Sequence, residues 1–164
     1  MSALLAIAGP VIGAVIALIG VYVNQLMQRS TQKQIRHQTE IRDLAADLLA
    51  LSERLWRDGW ALHQAARPYL EAVGSHGQES FSAQTLFPDY MDAMRKENRT
   101  HEKILSAQRR LMLTSPALDR AATRLVEGSR LWPPPLERPS KEVSDERDMA
   151  ERAFVEVARK QLTI

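Results

Sequence analysis

Hydrophobic and polar positions divide this chain into two regions with different patterns. From Met1 to Gln28 the sequence MSALLAIAGPVIGAVIALIGVYVNQLMQ carries no charged side chain, and the first charge is Arg29. Between Ala3 and Val23 nearly every residue is apolar, Gly or Ala. At a helical rise of about 1.5 Å per residue this run is about 30 Å long, which matches the hydrocarbon core of a bilayer. We therefore predict a transmembrane anchor over residues 1–28.

The flanks of this segment predict its orientation. A secretory signal has a basic start and a shorter apolar core, whereas here no Lys or Arg precedes the run. Arg29, Lys33, Arg36 and Arg42 follow it, so the positive-inside rule places the C-terminal part in the cytoplasm and Met1 outside the inner membrane. The bilayer is thus a predicted partner, and Arg29, Lys33 and Arg36 are predicted to contact anionic lipid headgroups.

Small residues recur every four positions inside the predicted anchor, at Gly9, Gly13 and Ala17. Such spacing lets two helices approach closely, which predicts a seam for a homo-oligomer. The alternative is that Gly and Ala are simply frequent in membrane helices, and Pro10 would bend a straight seam. Both interpretations stay open.

Beyond the anchor the pattern is helical. Residues 29–40 are mostly polar and predict a juxtamembrane helical stalk. From Ile41 onward apolar residues follow steps of three and four, as in a bundle helix; they are Ile41, Leu44, Leu48, Leu51, Leu55 and Leu62, with Asp58 interrupting the series. The Arg67-Pro68 pair predicts that this helix ends or kinks there.

Turn-forming residues divide the rest of the predicted bundle, residues 41–164. Gly and Ser predict a loop over 70–87, with its apolar residues Phe81, Leu86 and Phe87 packed back as a plug. Pro88 is predicted to open a helix that ends near Thr114, and Ser115-Pro116 to open another that ends near Gly128. Leu131 and Trp132 predict a second plug, residues 132–143 a proline-rich linker, and Ser144 or Asp145 the cap of a last helix. The fold class is all-α: an N-terminal transmembrane helix that continues through the stalk into a small antiparallel helical bundle.

One predicted helix face is polar in its middle. Its members are Met91, Met94, Asn98, His101, Leu105, Gln108 and Met112. Asn98, His101 and Gln108 are either a polar or pH-sensitive site inside the bundle or residues at its rim, because buried polar groups are costly unless paired.

Composition excludes several kinds of chemistry. The chain has no cysteine and therefore no disulfide or thiolate metal site. None of the four histidines follows a Glu at the spacing of di-iron bundles, so we predict no metal and no cofactor. No nucleophile–base pair or phosphate loop is present in the sequence, which favours a non-enzymatic protein. A formal net charge of +2 argues against nucleic acid as a partner, and the cations at 95–110 alternate with Glu97 and Glu102 as on a solvated face.

Trp56 and Trp60 are four residues apart and share one helix face. They are predicted either to pack in the core or, together with His101, to form a surface for a cytoplasmic protein partner.

The segments RDLAADLLALSERLW, LTSPALDRAATRLVEG and FVEVARKQL, behind an anchor and stalk, resemble a loose group of short, Arg- and Ala-rich, membrane-anchored helical proteins of high-GC bacteria. That resemblance implies no activity and no site residues. The sequence favours a membrane-tethered scaffold that self-associates or docks a partner. The alternative is a holin-like or toxic effector that assembles through its transmembrane helix.

Overall fold

Four α-helices and one 3₁₀ turn make up a computed structural model that describes residues 2–131 and 141–162, with the side chains of 2–19 and 26 not described. Helix α1 spans Ser2–His76 and α2 spans Phe81–Thr114. A 3₁₀ turn at Pro116–Leu118 leads into α3, Asp119–Gly128, and α4 spans Lys141–Leu162. The described residues contain no strand, so the all-α prediction is confirmed.

The chain divides into two units, Met1–Glu40 and Ile41–Ile164. In the first unit the described side chains are almost all exposed, and these include Tyr22, Met27 and Ile35. Among the described residues no helix is both long enough and apolar enough to cross a membrane. The predicted anchor before Gly20, with the Gly9, Gly13 and Ala17 seam, lies outside the described side chains.

The second unit is a helical bundle around one apolar core. Helix α1 contributes Ile41, Leu44, Ala45, Leu48 and Leu55, which confirms the predicted stripe, although Leu51 is only partly buried. The other helices and the turn add the remaining core residues, which are Ile104, Leu111, Leu118, Ala122, Leu125, Val126, Phe154 and Ala158. Burial of such side chains supplies the main stabilisation, about 1.5–3 kcal/mol for each large one.

Contacts along α1 and α2 show that these two helices are antiparallel. Asp58 of α1 contacts Thr100 of α2, and farther along α1 Tyr69 contacts Tyr90, earlier in α2. Leu131, after α3, packs on the same part of α1 and is buried, as predicted. A methyl group at Gly59 would lie 3.1 Å from Leu131 Cβ, so glycine permits this close approach. Trp132 lies outside the described residues.

The predicted loop at 70–87 is wrong, because helices occupy most of it. Helix α1 continues through Pro68 and Gly74 to His76, and the connection covers only 77–80. Gly77 ends α1 with φ +78°, a left-handed conformation that glycine adopts without strain. The Ser80 hydroxyl then caps α2 by accepting the Ala83 N–H at 3.2 Å.

Two further boundaries differ from prediction. Pro88 lies inside α2 instead of opening it. The predicted linker 132–143 ends earlier, since α4 already begins at Lys141 and contains Ser144 and Asp145. Lys141 and Glu142 are good helix formers, so the helix can begin ahead of Ser144 and Asp145. Residues 132–140 of that linker lie outside the described residues.

Candidate functional site

A buried carboxylate lies between α1 and α2. Asp58 is 3% exposed and accepts a hydrogen bond from the Thr100 hydroxyl at 2.7 Å. Its other oxygen lies 2.9 Å from Lys96 Nζ, and Arg54 Nε is 3.9 Å from the oxygen that accepts from Thr100. Both carboxylate oxygens are therefore satisfied, as burial of a charge requires. The sequence signal for this site is Asp58 itself, a charge in the middle of an apolar stripe.

A second buried carboxylate, Glu97, faces Arg130 beyond α3. Glu97 is fully buried and its Oε1 accepts from Arg130 Nε at 3.3 Å. Its Oε2 has no hydrogen-bond partner among the described residues. Burial lowers the pKa of the adjacent His101, and the positive charge of Arg130 lowers it further, against the opposing effects of Glu97 and Glu102.

The buried face of α2 is rotated from the one that the sequence predicts. Glu97, Thr100, Ile104 and Leu111 are buried, whereas Asn98 is exposed and His101 and Gln108 are partly buried. Gln108 donates to Thr123 of α3 at 2.9 Å. Polar side chains occupy the buried face because α1 and the segment after α3 supply their partners, and a single helix pattern does not reveal partners on other elements.

Trp56 is buried, as the core-packing alternative predicts, and does not belong to an exposed partner surface with Trp60 and His101. The Trp56 side chain is only 9% exposed, and the Arg147 guanidinium of α4 lies 5.1 Å from its ring centroid. Arg147 also forms an ion pair with Glu53 of α1, so this contact joins α4 to α1. Trp60 is partly buried and its ring meets the buried His63 edge-on at 5.6 Å.

The lipid-facing residues predicted for the stalk, Arg29, Lys33 and Arg36, are all exposed in the first unit. No group of three metal-ligating His, Asp or Glu side chains occurs among the residues that the structure describes.

A basic groove runs between α1 and α2 on the outside of the bundle. It consists of two adjoining cavities of about 560 and 390 Å³ that share Arg54 and Lys103 as lining residues. Seven basic residues line the basic groove, namely Arg54, Arg57, Arg95, Lys96, Arg99, Lys103 and Arg110, against the acidic Asp47 and Asp92. The α2 part of this surface was interpreted from the sequence as an ordinary solvated face.

Aromatic and apolar residues gather at the turned end of the α1–α2 hairpin, and we call them the aromatic tip: Tyr69, Leu70, Phe81, Phe87 and Tyr90. Phe81 is 85% exposed and Phe87 45%, so the predicted plug at 81–87 is wrong. The Tyr69 and Tyr90 rings stack at 5.0 Å, and the Phe87 ring lies 5.7 Å from Tyr69. Tyr69 and Phe87 also line a cavity of about 400 Å³. Sequence reasoning missed Tyr69 and Tyr90, since their pairing depends on how the hairpin closes.

No family model, curated protein or solved structure matches this chain. The candidate sites are therefore judged by their geometry and chemistry alone.

Proposed function

We propose that this protein is a non-enzymatic, membrane-anchored helical module that docks a protein partner through the aromatic tip. The exposure of Phe81 and Phe87 is the observation that carries the proposal. Contiguous exposed apolar surface commonly marks an interaction site, and aromatic residues are frequent among the side chains that dominate binding energy.

The anchor in this proposal rests on the uncharged apolar sequence over residues 1–28 and on the cations that follow it. It places the protein in the inner membrane with Met1 outside and the bundle in the cytoplasm. The partner would then meet the bundle at the membrane surface.

The aromatic tip is well suited to bind without reorganisation. Tyr69 contacts both Phe87 and Tyr90 within the protein, so these three rings are already ordered before a partner arrives. The bundle core closes without them, since none of the tip residues belongs to the core cluster. The core therefore does not need these side chains for its packing, and they are available for binding.

Charges around the aromatic tip indicate the chemistry of the partner. Glu79 and Asp89 are exposed close to it in the sequence and have no ion-pair partner among the described residues, whereas Glu71 is paired with Arg67 at 2.9 Å. A complementary partner would present an apolar segment flanked by Lys or Arg, because opposite charges at a rim favour correct encounter.

The test is crosslinking in membranes with a double substitution in the tip, Phe81→Ser and Phe87→Ser. The matched control is Leu113→Ser, which removes an 86% exposed apolar side chain of α2 outside the tip. Loss of an aromatic anchor costs about 2 kcal/mol or more, so capture by the double variant should fall about thirtyfold, and the control should capture like wild type.

Two outcomes would contradict the proposal. Equal capture by the tip variant and wild type would show that binding occurs elsewhere. Crosslinked products that contain only two copies of this chain would indicate self-association instead of docking of a partner. Gly9, Gly13 and Ala17 are the predicted seam for such self-association.

The second candidate function is the holin-like or toxic membrane effector, which the Gly- and Ala-containing apolar segment of residues 1–28 favours. Induced expression should then depolarise the cell. Unchanged growth with a stable membrane fraction would count against it.

A further inference from the structure

The basic groove contains more cations than its own carboxylates neutralise. Lys96 is paired with Asp58 at 2.9 Å, and Arg95 with Asp92 at 3.4 Å. Arg99 and Lys103 line the groove with no ion-pair partner among the residues that the structure describes. The same holds for Arg110 in the larger cavity. An anion that entered the groove would meet several cations that line the same walls.

Asp58 acts as a positioning residue beneath these cations. It is buried, and its contact with Lys96 holds that ammonium group at the wall of the smaller cavity. Lys96 has three N–H donors, so two remain after the contact with Asp58. Arg54 approaches Asp58 through Nε, which leaves its Nη groups for another acceptor. The buried carboxylate thus organises the groove without closing it.

The dimensions and walls of the groove indicate what it would hold. Each cavity, at about 560 and 390 Å³, is within the size range of small-molecule sites. The larger cavity has an apolar wall that includes Leu44, Leu51 and Ala107, and none of the lining residues in either cavity is aromatic. This favours a ligand with charged groups and an aliphatic or compact body over one with a base that stacks.

We infer that the basic groove binds a ligand with at least two neighbouring phosphate groups, held across the junction of the cavities by Arg54, Arg99 and Lys103. Arg binds phosphate oxygens through its forked N–H groups, and Lys binds them as a point charge. The two phosphate groups could belong to a soluble oligophosphate or to a lipid headgroup, and both share this chemistry.

The experiment measures the thermal midpoint of the full-length protein in a non-ionic detergent. The added probes are tripolyphosphate, cardiolipin, a lipid with two phosphodiester groups, and, as a neutral reference, phosphatidylcholine. A ligand that binds only the folded protein raises its midpoint, so one or both of the phosphate probes should raise it and phosphatidylcholine should not. Which of the two acts identifies the source of the phosphate.

Two charge-reversed proteins separate the groove from overall charge. Arg99→Glu with Lys103→Glu alters the groove, whereas Lys141→Glu with Arg152→Glu alters exposed residues of α4 by the same number of charges. The groove variant should bind the active probe about tenfold more weakly or worse, since two charge-assisted contacts are lost, and the α4 variant should bind within about twofold of wild type.

Equal weakening in both variants would overturn the inference, because only overall charge would then matter. Absence of a shift with both phosphate probes in the wild-type protein would overturn it as well. If the groove variant fails to fold, Lys103→Gln replaces it. That milder change should weaken binding several-fold, and unchanged affinity would contradict a role for the groove.

Discussion

At the scale of single residues, two buried carboxylates distinguish this bundle from a purely apolar one. Asp58 has partners for both oxygens, whereas Glu97 has one for Oε1 and none for Oε2 among the described residues. A buried charge is tolerated only where its partners replace the water it loses. The stability of the bundle around Asp58 and Glu97 therefore depends on their particular ion pairs. Each ion pair can be tested by removing one of its charges.

Asp58→Asn should lower the free energy of unfolding by about 1–2 kcal/mol. The amide can still accept from Thr100 but cannot neutralise Lys96, and the loss is moderated because Lys96 and Arg54 are more than half exposed. Urea unfolding measures the change. Asp92→Asn is the control, since Asp92 pairs with Arg95 at an exposed site, and it should change the free energy by less than about 0.5 kcal/mol. A result in which both variants are equally stable would contradict the role assigned to burial.

His101 should make the stability of the bundle depend on pH. Burial and Arg130 lower its pKa in the folded protein, so the folded state binds the proton less readily than the unfolded chain does. Its contribution is complete above about pH 6.5, the usual pKa of histidine, and is lost as the pH falls through the lower folded pKa. His101→Gln should flatten the decline of the unfolding free energy between about pH 7 and 5. An unchanged slope in urea titrations at each pH would contradict this.

At the scale of elements, the α1–α2 connection shows how local signals determine helix ends. Gly74 is inside α1, while Gly77, three residues later, ends it with a left-handed backbone. Glycine in a helix interior costs only about 1 kcal/mol relative to alanine, so one glycine does not by itself end a helix. Pro88 similarly lies within α2, although a proline there removes one helical hydrogen bond.

Alanine substitutions at these two glycines should have opposite effects. Gly74→Ala should stabilise the protein by up to about 1 kcal/mol, because a methyl group there meets nothing within 4 Å and alanine favours the helix. Gly77→Ala should destabilise it by about 1 kcal/mol, because its φ of +78° strains an alanine. Thermal unfolding of the two variants checks the pair. Effects of the same sign would contradict the assignment of Gly77 as the helix terminator.

At the scale of the whole molecule, the proposed membrane topology can be tested directly because the chain has no cysteine. Ser2→Cys should react with an impermeant maleimide in intact cells, and Ser30→Cys should react only after the cells are opened. The reverse pattern would overturn the proposed orientation and the cytoplasmic position of the bundle. Recovery of the chain in the soluble fraction of lysed cells, with both cysteines reactive, would argue against an anchor.

The sequence by itself determined the helical class and most of the apolar core. Apolar residues such as Ile41, Leu44 and Leu48 lie on one face of a helix, and that face must be buried. It did not determine where helices end, because a single Gly or Pro inside a helix costs only about 1 to 3 kcal/mol and does not by itself end it. Only the tertiary structure decided which polar residues are buried and which aromatic residues are exposed. Asp58 meets Thr100 from forty-two positions away, and Tyr69 meets Tyr90 across a hairpin. Such pairs depend on how the two helices are aligned along each other, and the sequence periodicity of one helix carries no information about that alignment.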